Sequence, residues 1–471
     1  MFDAGCVNVY VGTIKCYYDI KQLKSSPMPD RYDAQWFADR LGDRTARGIA
    51  LETGAMIRSG LLPVGTKLPS VRDLAFTLGI SPATVSIAWA DLRRHKIIGG
   101  RGRNGAWVMG DRFAPRPTRL VSSGNYGPDI LNLGIASPDV GLLPPLGQAL
   151  VHGAKANQLN SYERVRILPE LEAVVRPTWP YDPAALLVTN GGYNAVYALL
   201  HALVPPGAPV AIEDPTALRL LDILEDLNVP IIPVACDSHG PIPDALTEAL
   251  KSRPVAFLFQ PRVHSVTGGC VTPERLEALG DVLDGSDALI IEDDGVGDVS
   301  EAARQSLGRR FPDRVIHILS YSKTLGPDLR LAVLSSSASI VEQIQSFRSF
   351  SAGWTSRILQ GAASWLLQDA ETDKVVRRAQ MEYRARRHAL ASALLARGIE
   401  INEGEGLSVF VPVESETYAL VTLASRGIAV SAGSRFSLKP VNAVRIATSV
   451  LQLSDVDRVA GAISAAAAAP R

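Results

Sequence analysis

The chain has 471 residues and a mass of 50.4 kDa, which at roughly 150 residues per domain predicts two or three domains and excludes a single small module. Hydrophobic residues make up 46% and charged residues 20%, proportions that exclude a disordered or fibrous protein. The 48 basic and 48 acidic side chains cancel, so a nucleic-acid-binding surface has to be local.

The spacing of the cysteines and the length of the apolar runs indicate the cellular compartment of the protein. Cysteines at positions 6, 16, 236 and 270 are too widely spaced for a disulfide framework or a zinc site. The histidines show no metal-ligand spacing either. No window approaches about 18 consecutive apolar residues, and the N-terminus lacks the pattern of a secretion signal. We therefore expect a cytoplasmic protein with no membrane-spanning segment and no metal site.

The segment 37–110 carries a helix-turn-helix pattern. It follows an extension, residues 1–36, which shows no clear period and has no assigned role. A short helix is predicted from Ser70 to Leu78, followed by a turn at Gly79 and a longer helix that begins at Ser81. Apolar residues recur at helical spacing in the longer helix, which buries one face and leaves a small, polar face outward.

A Gly-rich segment after the longer helix predicts a hairpin with Arg101 and Arg103 at its tip. Residues 61–110 contain seven basic and two acidic side chains, a net charge of +5 (7 minus 2) that the neutral total conceals. A helix that enters the major groove and a basic wing that follows the phosphates form a DNA-binding arrangement.

The run KLPSVRDLAFTLGISPATVSIAWADLRRHKIIGGRGRNGAWV resembles the winged helix-turn-helix of GntR-type bacterial regulators. The resemblance implies contacts to double-stranded DNA by Arg72, Ser81, Ala83, Thr84, Ser86, Arg101 and Arg103. Many members carry a basic residue where this chain has Pro82, so their base preference does not carry over. A winged helix used for protein contacts remains the alternative at this stage.

The composition and the hydrophobic pattern of the chain change after the winged helix. Residues 111–130 are rich in Pro, Ser, Gly and Arg without a sustained period, which predicts a linker. From residue 131 to residue 471, apolar β-rich runs alternate with helical stretches, a pattern typical of α/β architecture.

Lys323 is the first candidate for chemistry in the α/β part. It lies directly after the predicted strand VIHILS, where desolvation would lower the pKa of its amine and favour a Schiff base with an aldehyde. The hydroxyls of Ser320 and Ser322 and the guanidinium of Arg330 are suitable donors to a phosphate. An aldehyde and a phosphate together predict pyridoxal 5'-phosphate as the cofactor.

Two further elements support this cofactor site. Asp293 lies at the end of the predicted strand ALIIEDD, where its carboxylate could pair with a pyridine nitrogen. Gly191 and Gly192 lead another strand into a helix whose N-terminal N–H groups could receive the phosphate. Tyr193 and His264 lie near the predicted site and are candidates to contact the cofactor, but a packed or solvated side chain is the better explanation for each.

The order of these elements resembles the fold type I aminotransferases from about Leu131 to the C-terminus. The whole chain resembles the MocR-type regulators, a GntR subfamily whose aminotransferase-like domain serves as an effector sensor. By this resemblance Lys323 forms the Schiff base, Asp293 faces the pyridine nitrogen, and Ser320, Ser322 and Arg330 hold the phosphate. Arg445 matches the arginine that binds a ligand carboxylate, and the family's dimers imply a homodimer.

Three positions depart from the aminotransferase pattern. Ala217 replaces the aromatic residue that stacks on the cofactor, and Gly295 replaces a tyrosine. Ser265, itself a candidate cofactor contact, replaces the asparagine of the Asn-Pro-Thr-Gly segment. Losing these contacts predicts weaker cofactor binding and favours sensing over transamination.

The sequence therefore predicts a multidomain transcription regulator. It joins an N-terminal winged helix-turn-helix to an α/β, fold type I aminotransferase-like domain that binds pyridoxal 5'-phosphate or a reacting amino compound. Two alternatives stay open: an active, pyridoxal-phosphate-dependent aminotransferase with a DNA-binding appendage, and a cofactor-free dimeric regulator.

Overall fold

The computed structural model describes residues 32–58, 61–94, 97–100, 105–109, 119, 127 and 129–468. The chain divides into two compact units between Pro115 and Arg116. Arg101, Arg103 and nearly all of the predicted linker lie outside the described residues. No helix in the described ranges is long and apolar enough to cross a membrane, and none of their His, Cys, Asp and Glu side chains cluster as metal ligands.

The first unit is a small helical domain with a two-stranded hairpin. Its elements are helices α1 (Ala34–Ala38), α2 (Ala46–Arg58), α3 (Val71–Leu78) and α4 (Pro82–Arg94), and the antiparallel strands β1 (Ile98–Gly99) and β2 (Trp107–Val108). The hydroxyl of Ser70 caps α3 by accepting from the Asp73 N–H. Gly79 ends α3 with a φ of 67°, a conformation that favours glycine. The predicted helix-turn-helix and wing strands are confirmed.

The core of the first unit lies between α4 and the other helices. Val85, Ala88, Trp89 and Leu92 line the buried face of α4, as their spacing predicts. Phe37 of α1 is fully buried, with its ring centroid 6.3 Å from that of Trp89. Residues from Tyr32 onward thus pack into this unit, including the last few of the predicted extension.

The second unit surrounds a large sheet. Its strands are β3 (Leu131–Asn132), β4 (Ala185–Thr189), β5 (Val210–Asp214), β6 (Ile231–Asp237), β7 (Gly240–Pro241), β8 (Ala256–Phe259), β9 (Leu289–Asp294), β10 (Val315–Ser320), β11 (Ala332–Ser336), β12 (Ser408–Pro412), β13 (Ile428–Ala429), β14 (Ser431–Ala432) and β15 (Ala443–Ala447). Its helices are α5 (Gly147–Gly153), α6 (Pro169–Val175), α7 (Gly192–Leu203), α8 (Leu218–Asp226), α9 (Pro243–Leu250), α10 (Pro273–Leu283), α11 (Ala338–Arg348), α12 (Arg357–Leu366), α13 (Ala370–Leu395), α14 (Glu416–Ser425) and α15 (Val456–Ala467).

Within the described residues, the large sheet has eight strands in the order β4-β11-β10-β9-β8-β5-β6-β7. Strands β10, β9, β8, β5 and β6 pair in parallel, whereas β11 is antiparallel to both of its neighbours. Strands β4, β5, β8 and β10 are buried at every residue, which explains their nearly continuous apolar sequences. The carboxyl ends of the parallel strands meet at one edge, where ligands bind in open α/β sheets.

A smaller layer completes the second unit. Strands β12, β15 and β14 form an antiparallel sheet, and β13 pairs with β3 in parallel. Helices α13, α14 and α15 cover a core that includes Leu390, Val409, Leu423, Ile446 and Ile463. The predicted combination of a winged helix with an α/β domain is confirmed.

Candidate functional site

The loop after β10 carries the lysine that the sequence singles out. Lys323 Nζ donates a hydrogen bond to the Ala136 carbonyl oxygen at 2.6 Å. Burial, followed by the charges of Arg445 and Arg219, lowers the pKa of the Lys323 amine to about 8. The amine is therefore partly neutral, and so nucleophilic, close to neutral pH.

Asp293 lies one strand away from this loop, near the end of β9. The register pairs Asp293 with Ile318 of β10, five residues before Lys323. Burial raises the pKa of the Asp293 carboxyl to about 7, with smaller contributions from the carboxylates of Asp294 and Glu213. Among the described residues no hydrogen bond reaches this carboxylate, so it is available to a basic group in the site.

A glycine turn connects β4 to α7 beside the same loop. Gly191 has a φ of 94°, and a Cβ atom there would lie 3.3 Å from Nη2 of Arg330. A Cβ atom on Gly192 would lie 3.5 Å from Cβ of Ser320. No side chain caps the N-terminus of α7, so its first N–H groups face this small space. The glycines keep the space open between backbone donors and a guanidinium.

Ser322 and Arg330 flank this space. The Ser322 N–H donates to Oγ of Ser320 at 3.4 Å, and Arg330 Nη2 donates to the Asn190 carbonyl at 3.4 Å. The structure thus brings together Gly191, Gly192, Ser320, Ser322 and Arg330, which the sequence assigns to a phosphate.

Arg445 approaches the lysine from the smaller layer. Its Nη2 donates to the Gly134 carbonyl oxygen at 2.5 Å, and its guanidinium lies 4.6 Å from the ring centroid of Phe436. Its buried Nε has no hydrogen-bond partner in the described residues. Burial lowers the pKa of Arg445 to about 10. Gly134 and Ala136, two residues apart, thus accept hydrogen bonds from Arg445 and Lys323.

Tyr193 lies in the first turn of α7, next to the lysine site. Burial, followed by the Asp293 carboxylate, raises the pKa of its phenol to about 12. The guanidinium of Arg219 lies 5.4 Å from the centroid of the Tyr193 ring. Sequence reasoning missed Arg219. Its position two residues after Ala217, where the aromatic residue is lost, was the available signal.

Ser265 and His264 are engaged within the protein. The Ser265 N–H donates to Oε1 of Gln260 at 2.8 Å. His264 Nδ1 accepts from the Thr267 N–H at 3.1 Å, so Nε2 carries the proton and donates to the Pro215 carbonyl at 2.7 Å. Burial lowers the pKa of His264 to about 4, so this ring is neutral near pH 7.

The two other departures from the aminotransferase pattern also lie at this edge of the sheet. Ala217 is buried in the main core, directly before α8. A Cβ atom on Gly295 would lie 3.4 Å from Oδ2 of Asp293, so a larger residue there would touch the carboxylate. Neither position therefore provides an aromatic ring to the site.

The predicted DNA-contacting residues lie on α3 and at the start of α4. Arg72, Ser81, Ala83 and Ser86 are exposed, and Thr84 is half-buried. Ala83 and Ser86 lie on the face of α4 opposite its buried residues. This surface has the small, polar side chains that allow a helix to approach base edges closely.

Two protein families match this chain, one in each of the two compact units. Residues 45–108 match the bacterial regulatory proteins of the gntR family, and residues 128–463 match aminotransferase class I and II.

Curated relatives cover both parts. The vitamin B6 salvage pathway transcriptional repressor PtsJ of Salmonella typhimurium is 30% identical over 89% of this chain and 98% of its own length. The pyridoxine biosynthesis transcriptional regulator PdxR of Corynebacterium glutamicum is 24% identical over 81% of this chain and 86% of its own. TauR of Rhodobacter capsulatus is 26% identical over 74% of this chain and 79% of its own.

Solved structures support the fold of the second unit. An archaeal alanine:glyoxylate aminotransferase superimposes with a TM-score of 0.66, at 21% identity over 72% of this chain and 90% of that one. The aspartate aminotransferase of Thermus thermophilus gives a TM-score of 0.64 at 20% identity, over 72% of this chain and 92% of that one. At these identities the likeness establishes the fold alone.

Proposed function

The chain belongs to the GntR-type transcriptional regulators with an aminotransferase class I and II domain, the MocR-type group, and from this membership we propose that pyridoxal phosphate controls its DNA binding. The observation that carries the proposal is Lys323, a buried amine with a lowered pKa beside a glycine turn and a free carboxylate. The names of PtsJ and PdxR, both tied to vitamin B6, add support.

The residues present fit this cofactor. Gly191 and Gly192 leave a cradle that a Cβ atom would narrow, bordered by Arg330 and Ser320, and N–H groups at a helix N-terminus favour a phosphate there. Asp293 offers an unpaired buried carboxyl group to a pyridine nitrogen, which would keep both groups charged. Pyridoxal phosphate, when bound, supplies an aldehyde that condenses with primary amines.

The side chains then have separate tasks. The amine of Lys323 is partly neutral near pH 7, as condensation requires, because burial and two neighbouring guanidiniums disfavour its proton. Arg330 and the serine hydroxyls orient the phosphate, and Arg445, with an unpartnered Nε, is suited to the carboxylate of an amino ligand. Ala217 and Gly295 provide neither a stacked ring nor a phenol, which favours reversible sensing over turnover.

A direct chain connection supports control of DNA binding from this site. Lys323 and Arg445 donate to the carbonyls of Ala136 and Gly134, in the segment that begins with β3. This segment follows the predicted linker, residues 111–130. A ligand that changes either hydrogen bond therefore acts on the residues that continue into the linker. A ligand with a higher affinity for one of two conformations of the protein shifts the equilibrium toward that conformation.

We also propose that the protein acts as a homodimer. Helices α5 and α12 pack together and expose Leu150, Val151 and Ile358, each about 40 to 50% accessible. Tyr162, 88% exposed, lies edge-on to Trp354 just before α12. Clustered exposed apolar side chains are typical of protein interfaces, and a two-fold dimer presents two winged helices to two half-sites.

The phosphate assignment is tested with Arg330→Gln. We expect this variant to bind pyridoxal phosphate about tenfold or more weakly, because a charge-assisted contact to the phosphate is lost. Pyridoxal, which lacks the phosphate, serves as the matched ligand, and its affinity should change by less than about twofold. Absorbance titrations of both proteins with both ligands measure this, and equal weakening for the two ligands would contradict the assignment.

The lowered pKa of Lys323 predicts the pH dependence of cofactor attachment. The neutral amine is the nucleophile, so the rate of condensation should rise with pH and level off above about 8. With an ordinary lysine, whose amine has a pKa of 10.5, the rate of condensation would still rise with pH above 8. Stopped-flow absorbance at a series of pH values gives the midpoint of the rate increase, and a midpoint near 10.5 would show that Lys323 is not the attacking amine.

A further inference from the structure

The outward face of α4 is poor in side chains that can make a forked contact to a base. Every residue of α4 is described, and its exposed positions are Pro82, Ala83, Ser86, Ile87, Ala90 and Arg94. Bidentate contacts to guanine use Arg or Lys, and those to adenine use Asn or Gln. Arg94 lies in the last turn of α4 and forms a salt bridge with Asp91. Base recognition by the earlier turns of α4 therefore depends on a hydroxyl and on apolar groups.

Ile87 is the largest apolar side chain on this face. It is 61% exposed and lies one helical turn after Ala83, so the two side chains are neighbours. Ala90 is exposed three residues later and continues the same surface. We call Ala83, Ile87 and Ala90 the apolar strip of α4. A β-branched side chain is a weaker helix former than Ala, and Ile87 is not buried within its unit, so neither helix propensity nor core packing explains its presence.

The charge of the surrounding chain identifies DNA as the partner of the apolar strip. In a helix-turn-helix the second helix lies in the major groove, and α4 is that helix here. Lys67 and Arg72, both exposed, precede α4 in the chain, and basic side chains exceed acidic ones over residues 61–110. Basic residues that contact phosphates position a protein on the duplex, whereas the residues that face the base edges select the sequence. The apolar strip belongs to the second group.

We propose that α4 recognises thymine through its C5-methyl group, with Ile87 as the main contact and Ala83 as its neighbour on the apolar strip. The C5-methyl of thymine is the apolar group that base pairs present in the major groove, and small apolar side chains pack against it. Sites bound by this protein should therefore carry T·A pairs where α4 enters the groove. The inference goes beyond the proposed function, because it concerns base preference and does not involve the cofactor site.

The experiment compares thymine with uracil in a duplex that the full-length protein selects from a random-sequence pool. Uracil lacks the methyl group and keeps the base pair with adenine. Burial of one methyl group changes affinity about fourfold, so replacing one thymine in each of two half-sites should weaken binding about sixteenfold. Fluorescence anisotropy measures both affinities. Selected duplexes without a shared thymine, or a loss below about twofold for every thymine replaced, would overturn the proposal.

Two variants assign the methyl contact to Ile87. Ile87→Ala should reduce the preference for the thymine duplex from about sixteenfold to below about threefold, because most of the apolar contact is removed. Ile87→Val keeps a β-branched side chain and should retain most of the preference. Folding should not suffer in Ile87→Ala, because the position is exposed and Ala is the better helix former. Equal weakening of the thymine and uracil duplexes by Ile87→Ala would indicate a protein contact and overturn the assignment.

Val421→Ala is the matched control. Val421 is a β-branched residue of α14 in the second unit and is 64% exposed, so its truncation removes apolar surface of the same kind. Both affinities, and the ratio between them, should stay unchanged in this variant. A loss of the thymine preference in Val421→Ala would show that the effect does not belong to α4.

Titrations with and without pyridoxal phosphate distinguish this proposal from the proposed function. If the cofactor does not change the affinity for DNA, the proposed function is contradicted, whatever the preference for thymine. Equal affinity for the thymine and uracil duplexes under both conditions would contradict only the recognition of thymine. Failure to select any duplex under either condition would overturn both.

Discussion

Lys323→Ala is expected to abolish covalent attachment of pyridoxal phosphate, and with it the visible absorbance band and the cofactor's effect on DNA binding. Burial and the charges of Arg445 and Arg219 lower the pKa of the Lys323 amine to about 8, which suits condensation with an aldehyde. No other residue in the described part of the site offers a primary amine. The loss should therefore be complete, not partial.

The measurement is an absorbance titration followed by borohydride reduction and mass analysis. Unmodified protein should retain one reduced cofactor per chain, and Lys323→Ala none. Lys251→Ala is the matched control, because Lys251 is exposed and pairs with Glu248 far from the site in sequence. Full labelling of Lys323→Ala at another lysine would reject the assignment, whereas no band in any of the proteins would favour a cofactor-free regulator.

The second large effect is expected from Ala83→Asp in the winged helix. Ala83 is exposed in the first turn of α4, the surface that the GntR resemblance assigns to DNA. A carboxylate there would face the phosphates, and like charges at an interface cost several kcal/mol, which weakens DNA binding about a hundredfold or more. Folding should not suffer, because an acidic residue near a helix N-terminus is stabilising.

Fluorescence anisotropy with a duplex selected from a random-sequence pool measures this effect. Ala370→Asp introduces the same change in the exposed first turn of α13, in the other unit, and should leave DNA affinity unchanged. Titration at high concentration should saturate at two chains per duplex with two half-sites, as the proposed dimer requires. Normal affinity of Ala83→Asp would place the DNA surface elsewhere.

The sequence by itself predicted both domains, which the family matches confirm, and most of the residues of the proposed cofactor site. The helical spacing of the apolar residues predicted the buried face of α4. Ser70 and Gly79 predicted the two ends of α3. Both signals can be read from the sequence because they depend only on residues close together in the chain. Lys323 and the glycine turn follow strands and Asp293 lies near the end of one, and the carboxyl ends of parallel strands meet at one edge whatever their order. Strand-end position alone was enough to group them.

Only the tertiary structure decided which groups surround the residues of the proposed cofactor site. Lys323 donates to a carbonyl 187 residues away and Arg445 to one 311 residues away, contacts that no local period encodes. The guanidinium of Arg219 lies against the ring of Tyr193, a contact between two helices, and His264 is neutral because its neighbours bury it. These features depend on strand order and on packing between distant segments, so the partners of Lys323 and Arg445 are known only from the folded chain.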